Sequence, residues 1–290
     1  MDPGGYRGRT AIIAREEWCQ VIRLVISNQR GGVAKTTSVA NFARYLADRG
    51  KRVLVIDTDP QGSIGTVLGL KPAKYLHDFV VYNHLFKDCI VEACPGVDVL
   101  CGNRETVKTE GHLMGQVARE FVFNNLFTQV EKGYDAVLID VAPSINLLQT
   151  CAMVYGKSLL IPVSMDPLSL QGAAASIETA RMLSSLIGIE IQPVALLPVM
   201  VDRRLQITEV VMESLKDLSA RTRIPMLHGI RTDTTVTKCN RAKRFLTDFE
   251  PRSKALEDYN VAFEELSNLL NGQPGKDQDE IQEAAGPARA

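Results

Sequence analysis

The sequence predicts an α/β fold, a three-layer sandwich in which helices cover both faces of a mostly parallel central sheet. Three observations lead to this prediction. Continuous apolar runs rich in β-branched residues recur along the chain, as buried parallel strands require. Amphipathic helical patterns separate these runs, as parallel connections require. The chain has 290 residues and is 45% hydrophobic, which is enough to build one large core.

The strand and helix patterns alternate in order. Buried strands are predicted at residues 21–27, 52–57, 97–101, 134–140, 158–164 and 191–201. Helices are predicted from Lys35 to a stop at Gly50, and at residues 121–131, 168–186, 207–218 and 253–270, because apolar side chains recur there with helical spacing. The chain shows no internal repeat and no linker, so we expect one domain over residues 21–270.

The two ends of the chain lack these patterns. Residues 1–20 are expected to be a flexible leader with a short helical piece at 15–20. Residues 271–290 are polar and lack aromatic side chains, so we expect a disordered tail. Residues 1–10 are rich in glycine and arginine without an apolar run, which argues against an ordinary secretory signal. No stretch approaches the ~20 consecutive apolar residues of a membrane-spanning helix.

Six cysteines are scattered along the chain and form no CxxC pair. This distribution favours reduced thiols packed in the core. The alternative is a metal site built from Cys89, Cys94 and Cys101, whose spacing does not support it.

The segment SNQRGGVAKTT, residues 27–37, lies between a predicted strand and a predicted helix. This position suits a phosphate-binding loop, because backbone N–H groups converge there and the helix N-terminus adds the positive end of its dipole. Lys35 would then reach the β- and γ-phosphates of a nucleotide, and the Thr36 hydroxyl would lie on Mg²⁺. The ordinary pattern GxxxxGK[ST] is not met, because Gln29 and Ala34 occupy its glycine positions. The alternative is a plain glycine turn before a helix.

Two carboxylates follow the second predicted strand, in IDTDPQGS at residues 56–63. We expect this strand to neighbour the strand before the phosphate loop, and alternation along it would point Asp57 and Asp59 to the same side. One carboxylate can organise water on Mg²⁺ and the other can orient an attacking water. The alternative is that both carboxylates cap the following turn.

A third acidic residue ends the predicted strand of YDAVLIDVAPS, residues 134–144. An acidic residue that ends an apolar strand is the Walker-B arrangement. Asp140 is therefore expected to contact Mg²⁺ through water.

Together these segments resemble the ParA/MinD superfamily of ATPases. The loop is similar to the deviant Walker motif KGGxGK[ST][ST], with Arg30 in place of the signature lysine and Ala34 in place of the last glycine. Ala34 is tolerable there only with a negative φ, since a Cβ is costly at positive φ. IDTDPQGS, YDAVLIDVAPS and IPVSMDPLSLQG (residues 161–172) resemble later motifs in the same order, although Asp-Val-Ala-Pro stands where the family has Asp-x-Pro-Pro. The resemblance covers residues 21–270 and implies a SIMIBI-type P-loop NTPase of the ParA/Soj branch.

The resemblance implies a site for ATP and Mg²⁺. The implied catalytic residues are Lys35, Asp59, which would position the attacking water, and Arg30. Arg30 would take the role of the signature lysine, which reaches the phosphates of the partner subunit; the alternative is an exposed loop charge. The implied metal-site residues are Thr36, Asp57 and Asp140. The implied ATP-binding residues are Gln29, Arg30, Gly31, Gly32, Val33, Ala34, Lys35, Thr36 and Thr37, with Pro198 and Asp202 near the adenine.

The implied function is ATP-dependent partition. ATP would join two subunits into a homodimer and slow hydrolysis would release them. In partition ATPases the dimer binds nonspecific DNA in the cytoplasm, at the nucleoid, and moves a plasmid or chromosome with a ParB-like centromere-binding protein.

The formal net charge of −1 means that DNA binding must come from a local patch. A late segment, residues 231–244, carries five positive charges against one acid, Asp233. The expected DNA contacts are Arg231, Lys238, Arg241, Lys243 and Arg244. Such a field suits phosphate contacts whose affinity falls steeply with salt; the alternative is a solvated basic face.

Other functions on the same fold remain open. The same ATPase cycle can position a protein cargo through an adaptor, and the departure at Arg30 keeps that variant open. A MinD-like membrane regulator needs a C-terminal amphipathic helix, and the tail has almost no apolar face, so no membrane partner is expected. An iron–sulfur reductase would need paired cysteines near the nucleotide loops, and Cys151 has no paired candidate. The leader is too short for a helix-turn-helix domain, so operator-specific repression is not expected.

Overall fold

The computed structural model describes residues 21–272. The predicted leader, with its helical piece, and residues 273–290 of the predicted tail lie outside the described residues. The domain limits therefore stay a prediction.

The described residues alternate between strands and helices as predicted. The strands are β1 (Ile22–Ile26), β2 (Val53–Asp57), β3 (Ile90–Cys94), β4 (Val97–Leu100), β5 (Ala136–Asp140), β6 (Ser158–Ser164) and β7 (Gln192–Val199). The helices are α1 (Lys35–Ala47), α2 (Ser63–Leu68), α3 (Leu76–Tyr82), α4 (Phe86–Cys89), α5 (Thr106–Met114), α6 (Val122–Val130), α7 (Leu147–Gly156), α8 (Pro167–Ile187), α9 (Gln206–Thr222), α10 (Thr234–Ala242), α11 (Leu246–Phe249) and α12 (Lys254–Asn271). Two short 3₁₀ helices lie at Arg119–Phe121 and Glu131–Gly133. The six predicted strands and five predicted helices are all present, with ends shifted by a few residues.

The sheet has the order β3-β4-β2-β5-β1-β6-β7, and all neighbouring pairs are parallel except the β3–β4 pair. The expectation that β2 neighbours β1 is wrong, because β5 lies between them. The sequence gives the order of the strands along the chain, whereas a crossover helix can leave space for a later strand. The insertion matters for the site, because Asp140 at the end of β5 pairs in register with Ile26 on one side and Asp57 on the other.

Successive side chains of the central strands enter two different apolar layers. In β1, Val25 packs in one layer, and Leu24 and Ile26 pack in the other. The first layer lies under α6, α7 and α8, and the second lies under α1 and α12. This alternation buries both faces of the sheet and confirms the predicted three-layer α/β fold.

The parallel strands end at one edge of the sheet, where the loops after β1, β2, β5, β6 and β7 meet. In such sheets ligands bind at the carboxyl ends of the strands. No helix among the described residues is both long and apolar enough to span a membrane.

Candidate functional site

The loop after β1 is anchored to β6 and to the start of α8. The buried amide nitrogen of Asn28 donates to the carbonyl oxygens of Pro162 at 2.8 Å and Ser169 at 3.1 Å. The Oδ1 atom of Asn28 accepts from the backbone N–H of Arg30 at 2.9 Å. These bonds fix the direction in which the loop leaves the strand.

Gln29 extends this anchorage along α8. Its backbone N–H donates to Ser176 Oγ at 3.1 Å, and its Nε2 donates to Thr179 Oγ1 at 2.8 Å. Gly172 permits the close approach, because a Cβ there would overlap Asn28 Oδ1 and lie 3.0 Å from the Arg30 nitrogen. The Gln29 side chain therefore supports the loop, and its predicted contact with a nucleotide stays a prediction.

Residues on α8 that support the loop are not among the predicted site residues. They are Ser169, Gly172, Ser176 and Thr179. Their signal in the sequence is the motif of residues 161–172, which predicts a functional element without showing that it braces the loop.

Lys35 lies inside the loop. Its Nζ donates to the carbonyl oxygens of Asn28 at 3.1 Å and Arg30 at 2.9 Å. Burial lowers the pKa of Lys35, and the charges of Asp140 and Asp59 oppose that shift. The ammonium group is thus held by two backbone acceptors at the edge where phosphates would lie.

Asp140 joins the loop to the centre of the sheet. Thr36 Oγ1 donates to Asp140 Oδ2 at 2.7 Å. Burial raises the pKa of Asp140 to about 7, against the Thr36 hydrogen bond and the charge of Lys35. The other carboxylate oxygen, Oδ1, is buried and accepts no hydrogen bond from the described residues.

The expectation for Ala34 is wrong. Ala34 has φ 58 and ψ 27, in the left-handed region, and it forms the N-cap of α1. The loop must turn sharply into the helix at this residue, and Ser38 N–H then donates to the Ala34 carbonyl at 2.9 Å. The turn therefore overrides the local cost of a Cβ at positive φ.

The rest of the loop divides into exposed and buried residues. Gly31 and Gly32 are exposed, and Gly32 has φ 76. The side chain of Val33 is buried, and Thr37 lies in the first turn of α1.

Asp57 and Asp59 differ in environment. The carboxylate of Asp57 is fully buried and accepts from the backbone N–H of Asp59 at 3.0 Å and of Ile64 at 3.1 Å. Burial and the neighbouring Asp140 raise the pKa of Asp57.

Asp59 is partly exposed, and its Oδ1 accepts from Gln61 N–H at 2.8 Å. The expected alternation stops at Asp57 because β2 ends there. Asp57 therefore caps the following turn, and its contact with a metal stays a prediction.

Arg30 is exposed at the tip of the loop. Among residues 21–272 its guanidinium makes no hydrogen bond or ion pair, whereas its backbone carbonyl accepts from Lys35. The cationic side chain is therefore exposed without a compensating carboxylate among these residues.

A cavity of about 640 Å³ lies beyond β7 at the same edge of the sheet. Its walls are residues 201–204, 231–235, 250 and 252–254. Asp202 lines the cavity and pairs with Arg204 at 2.6 Å, and hydrogen bonds from Arg204 lower the pKa of Asp202 to about 2. Pro198 is buried and does not line it, and the predicted adenine contacts of Pro198 and Asp202 stay a prediction.

The predicted DNA contacts do not form one group. Lys238, Arg241, Lys243 and Arg244 are exposed on α10 and just after it, and we call these four residues the basic surface. Arg231 is different, because its Nε donates to Asp258 at 2.7 Å and its Nη2 lies 3.4 Å from Glu257. Its charge is compensated, which makes it a weaker candidate for a phosphate contact.

The described cysteines are free thiols. Cys151 is buried, and its Sγ donates to the carbonyl of Arg119 at 3.2 Å. Its thiol is therefore directed into the core, away from the nucleotide loop.

Comparisons with known proteins agree with this geometry. A family model described as an AAA domain matches residues 20–192, more than half of the chain. The sporulation initiation inhibitor protein Soj of Bacillus subtilis strain 168 is 29% identical over 246 residues, 81% of this chain and 94% of Soj. The chromosome partitioning protein ParA of Caulobacter vibrioides strain NA1000 is 31% identical over 201 residues, 67% of this chain and 74% of ParA.

This chain belongs to the ParA/MinD superfamily. The predicted fold class and the resemblance are both confirmed. Cobyrinic acid a,c-diamide synthase from Mycobacterium smegmatis with bound ATP analog and magnesium has the same fold, with a TM-score of 0.74 and 23% identity over 87% of this chain and 97% of that chain.

The residues of this superfamily member fit a magnesium–nucleotide complex. The buried Oδ1 of Asp140 lacks a partner in the described chain, and an unpaired buried carboxylate oxygen is costly unless a cation lies beside it. Lys35 and the backbone of the loop supply positive charge and N–H donors for phosphates. Thr36 and Asp140 are the residues best placed to hold the metal ion, directly or through water.

Proposed function

We propose that this chain is a ParA-type ATPase. It binds Mg·ATP, forms a dimer, binds nonspecific DNA in the dimeric state and positions a plasmid or chromosome with a centromere-binding partner. The observation that carries the proposal is the convergence of Lys35, Thr36 and Asp140 beside a loop whose exposed Arg30 guanidinium has no partner among residues 21–272.

Each charged group at the site has a separate role in this proposal. Magnesium, when bound, neutralises charge on the phosphates. Lys35 supplies a second positive charge, and the loop amides bind phosphate oxygens. Asp59 is partly exposed beside the site and orients the attacking water. Arg30 reaches the phosphates of the second subunit, where its fork of donors can bind two oxygens.

The basic surface supplies the DNA contacts. Its four exposed cations have no carboxylate partner among the described residues. Arg244 donates to a backbone carbonyl, that of Asp248, which leaves its charge uncompensated. Release of counterions from DNA then drives binding without reading sequence.

DNA co-sedimentation with ADP, ATP and a slowly hydrolysed ATP analogue tests the proposal. We expect wild-type protein to sediment with DNA only with ATP or the analogue. The triple variant Lys238→Glu, Arg241→Glu and Lys243→Glu should bind at least ~10-fold more weakly. Nucleotide-independent binding would reduce the protein to a simple DNA-binding NTPase.

A matched control keeps the change in net charge but moves it elsewhere. Lys87→Glu, Lys132→Glu and Lys216→Glu replace three other exposed lysines. This variant should bind DNA nearly as wild type does after allowance for the general charge effect. Equal losses in the two triple variants would remove the assignment of the basic surface.

A further inference from the structure

Helix α2 begins at the nucleotide site. The Ile64 backbone N–H in its first turn donates to the buried Asp57 carboxylate at 3.1 Å. Thr58 is tied to the neighbouring strand, because its N–H and its Oγ1 both donate to the Asp140 carbonyl at 2.9 Å. The start of α2 is therefore bonded directly to the Asp57 carboxylate, and the segment that leads to α2 is bonded to the backbone of Asp140.

The same short helix ends against the basic surface. Gly69 terminates α2 with φ 68, and Lys243 terminates α10 with φ 55. A Cβ built on Gly69 would lie 2.9 Å from Lys243 Cβ and 3.0 Å from Lys243 Cδ. The aliphatic stem of Lys243 thus lies directly over Gly69, so close that a side chain at position 69 would displace it.

We infer that α2 couples the nucleotide site to the basic surface, and that Gly69 is the position at which the coupling is transmitted. A movement of residues 57–59 displaces the first turn of α2, and α2 displaces the last turn of α10 through the Gly69–Lys243 contact. Packed elements transmit such movements because they do not deform continuously. This inference rests on the proposed function for what the basic surface does, whereas the coupling itself concerns only α2 and α10.

The variant Gly69→Ala tests the contact. Its Cβ meets the base of the Lys243 side chain, so the last turn of α10 must move away from α2. The ratio of DNA dissociation constants in ADP and in the slowly hydrolysed analogue should fall at least ~5-fold, the lower end of typical coupling between sites. Mg·ATP affinity by calorimetry should stay unchanged, because Gly69 lies outside the phosphate loop.

A matched control separates coupling from backbone strain. Gly188 ends α8 with φ 74, and a Cβ there meets nothing within 4 Å. Gly188→Ala introduces the same left-handed backbone strain without a close contact, so the ratio of DNA dissociation constants should stay at the wild-type value. If the ratio of DNA dissociation constants fell equally in both variants, backbone strain and not the Gly69–Lys243 contact would be the cause, and the inference would be overturned.

A second variant separates the charge of Lys243 from its packing. Lys243→Met keeps the stem over Gly69 and removes the ammonium group. It should weaken DNA binding in every nucleotide state and leave the ratio between states unchanged. A changed ratio would mean that the charge, and not the Gly69 contact, carries the nucleotide dependence.

Amide hydrogen exchange measures the coupling between the nucleotide site and α10 in the absence of DNA. In wild type, the slowly hydrolysed analogue with Mg²⁺ should change amide protection in residues 234–243, and in Gly69→Ala that change should be lost. If these exchange results were obtained but DNA binding did not depend on nucleotide, the coupling between α2 and α10 would be retained and the proposed function rejected. Unchanged protection in wild type, or the same response in both proteins, would reject the coupling.

Discussion

Ala34 places a Cβ in the left-handed region at the point where the phosphate loop becomes a helix. A glycine removes that steric cost, although it also increases the entropy of the unfolded chain. We predict that Ala34→Gly raises the free energy of unfolding by roughly 0.5–1 kcal/mol, measured by urea denaturation. Ala40→Gly, in the interior of α1, should lower it by about 1 kcal/mol. A loss of stability in Ala34→Gly would contradict this account of the loop.

At the residue scale, the sequence predicts which side chains belong to the site better than it predicts their backbone conformation and hydrogen-bond partners. Lys35, Thr36 and Asp140 are predictable because each stands at a fixed place relative to a strand or helix end. The φ of Ala34 is not, because the sharp turn into α1 outweighs the local preference of alanine. The capping role of Asp57 is predictable only as one of two alternatives, since its partner Ile64 lies in a short helix that local patterns do not delimit.

Helix α8 is the element that holds the phosphate loop, and Gly172 is its point of closest approach. We predict that Gly172→Ala lowers Mg·ATP affinity by about 10-fold, because the added methyl group displaces Asn28 and Arg30. Calorimetric titration measures the effect.

Gly111→Ala is the matched control for the variant Gly172→Ala. Gly111 also lies in a helix, and a Cβ there meets nothing within 4 Å. This variant should keep the wild-type affinity and gain up to about 1 kcal/mol in stability. Equal affinities for the two variants would contradict the bracing role of α8.

Helix α10 depends on Asp233 at its N-cap. The Oδ1 of Asp233 accepts from Thr235 N–H and its Oδ2 accepts from Ser253 Oγ, both at 2.8 Å. Burial opposes ionisation of Asp233, but these hydrogen bonds prevail and lower its pKa to about 2. We predict that Asp233→Ala loses about 1 kcal/mol at pH 7.

The pH dependence of that loss has a defined sign. Because the folded-state pKa of Asp233 is depressed, its contribution is present above pH ~4 and is lost as pH falls through about 2. The stability difference between wild type and Asp233→Ala should therefore shrink between pH 4 and 2 in denaturation curves. Asp233→Asn, which keeps an acceptor oxygen, should lose less at pH 7. A difference that grows on acidification would contradict the assignment.

At the element scale, buried strands and amphipathic helices are predictable because their patterns are local. Among the described elements that were not predicted, two show the reason. β3 is an edge strand with no fully buried residue, so it shows no apolar run. α7 is buried along nearly its whole length, so it shows no polar face with helical spacing.

The exposed Arg30 connects the single chain to the proposed dimer. We predict that wild type with Mg²⁺ and a slowly hydrolysed ATP analogue moves towards twice its 31.9 kDa in light scattering. Arg30→Ala should remain largely monomeric while still binding nucleotide, because the proposed phosphate contact of the guanidinium is in the other subunit. Arg30→Lys keeps the charge and should restore part of the dimer. Equal dimer fractions in wild type and Arg30→Ala would contradict the proposed role of Arg30 in dimer formation.

At the scale of the whole molecule, strand order is what local patterns cannot supply. The position of β5 between β1 and β2 depends on long-range pairing, and it is this pairing that brings Asp140 between the phosphate loop and Asp57. The same holds for the bracing of the loop by α8, which joins residues about 140 positions apart in the chain. The motifs thus predict which residues form the site, and the sheet determines which of them touch.

The most direct test of the central claim is calorimetric titration of folded wild-type protein with Mg·ATP. We predict one nucleotide per chain. Lys35→Ala should weaken binding by about 10- to 100-fold, as expected for loss of a charged contact to phosphate. Asp140→Asn should weaken binding in Mg²⁺ but not in EDTA. The absence of binding heat for the folded wild-type protein at several temperatures would contradict the account.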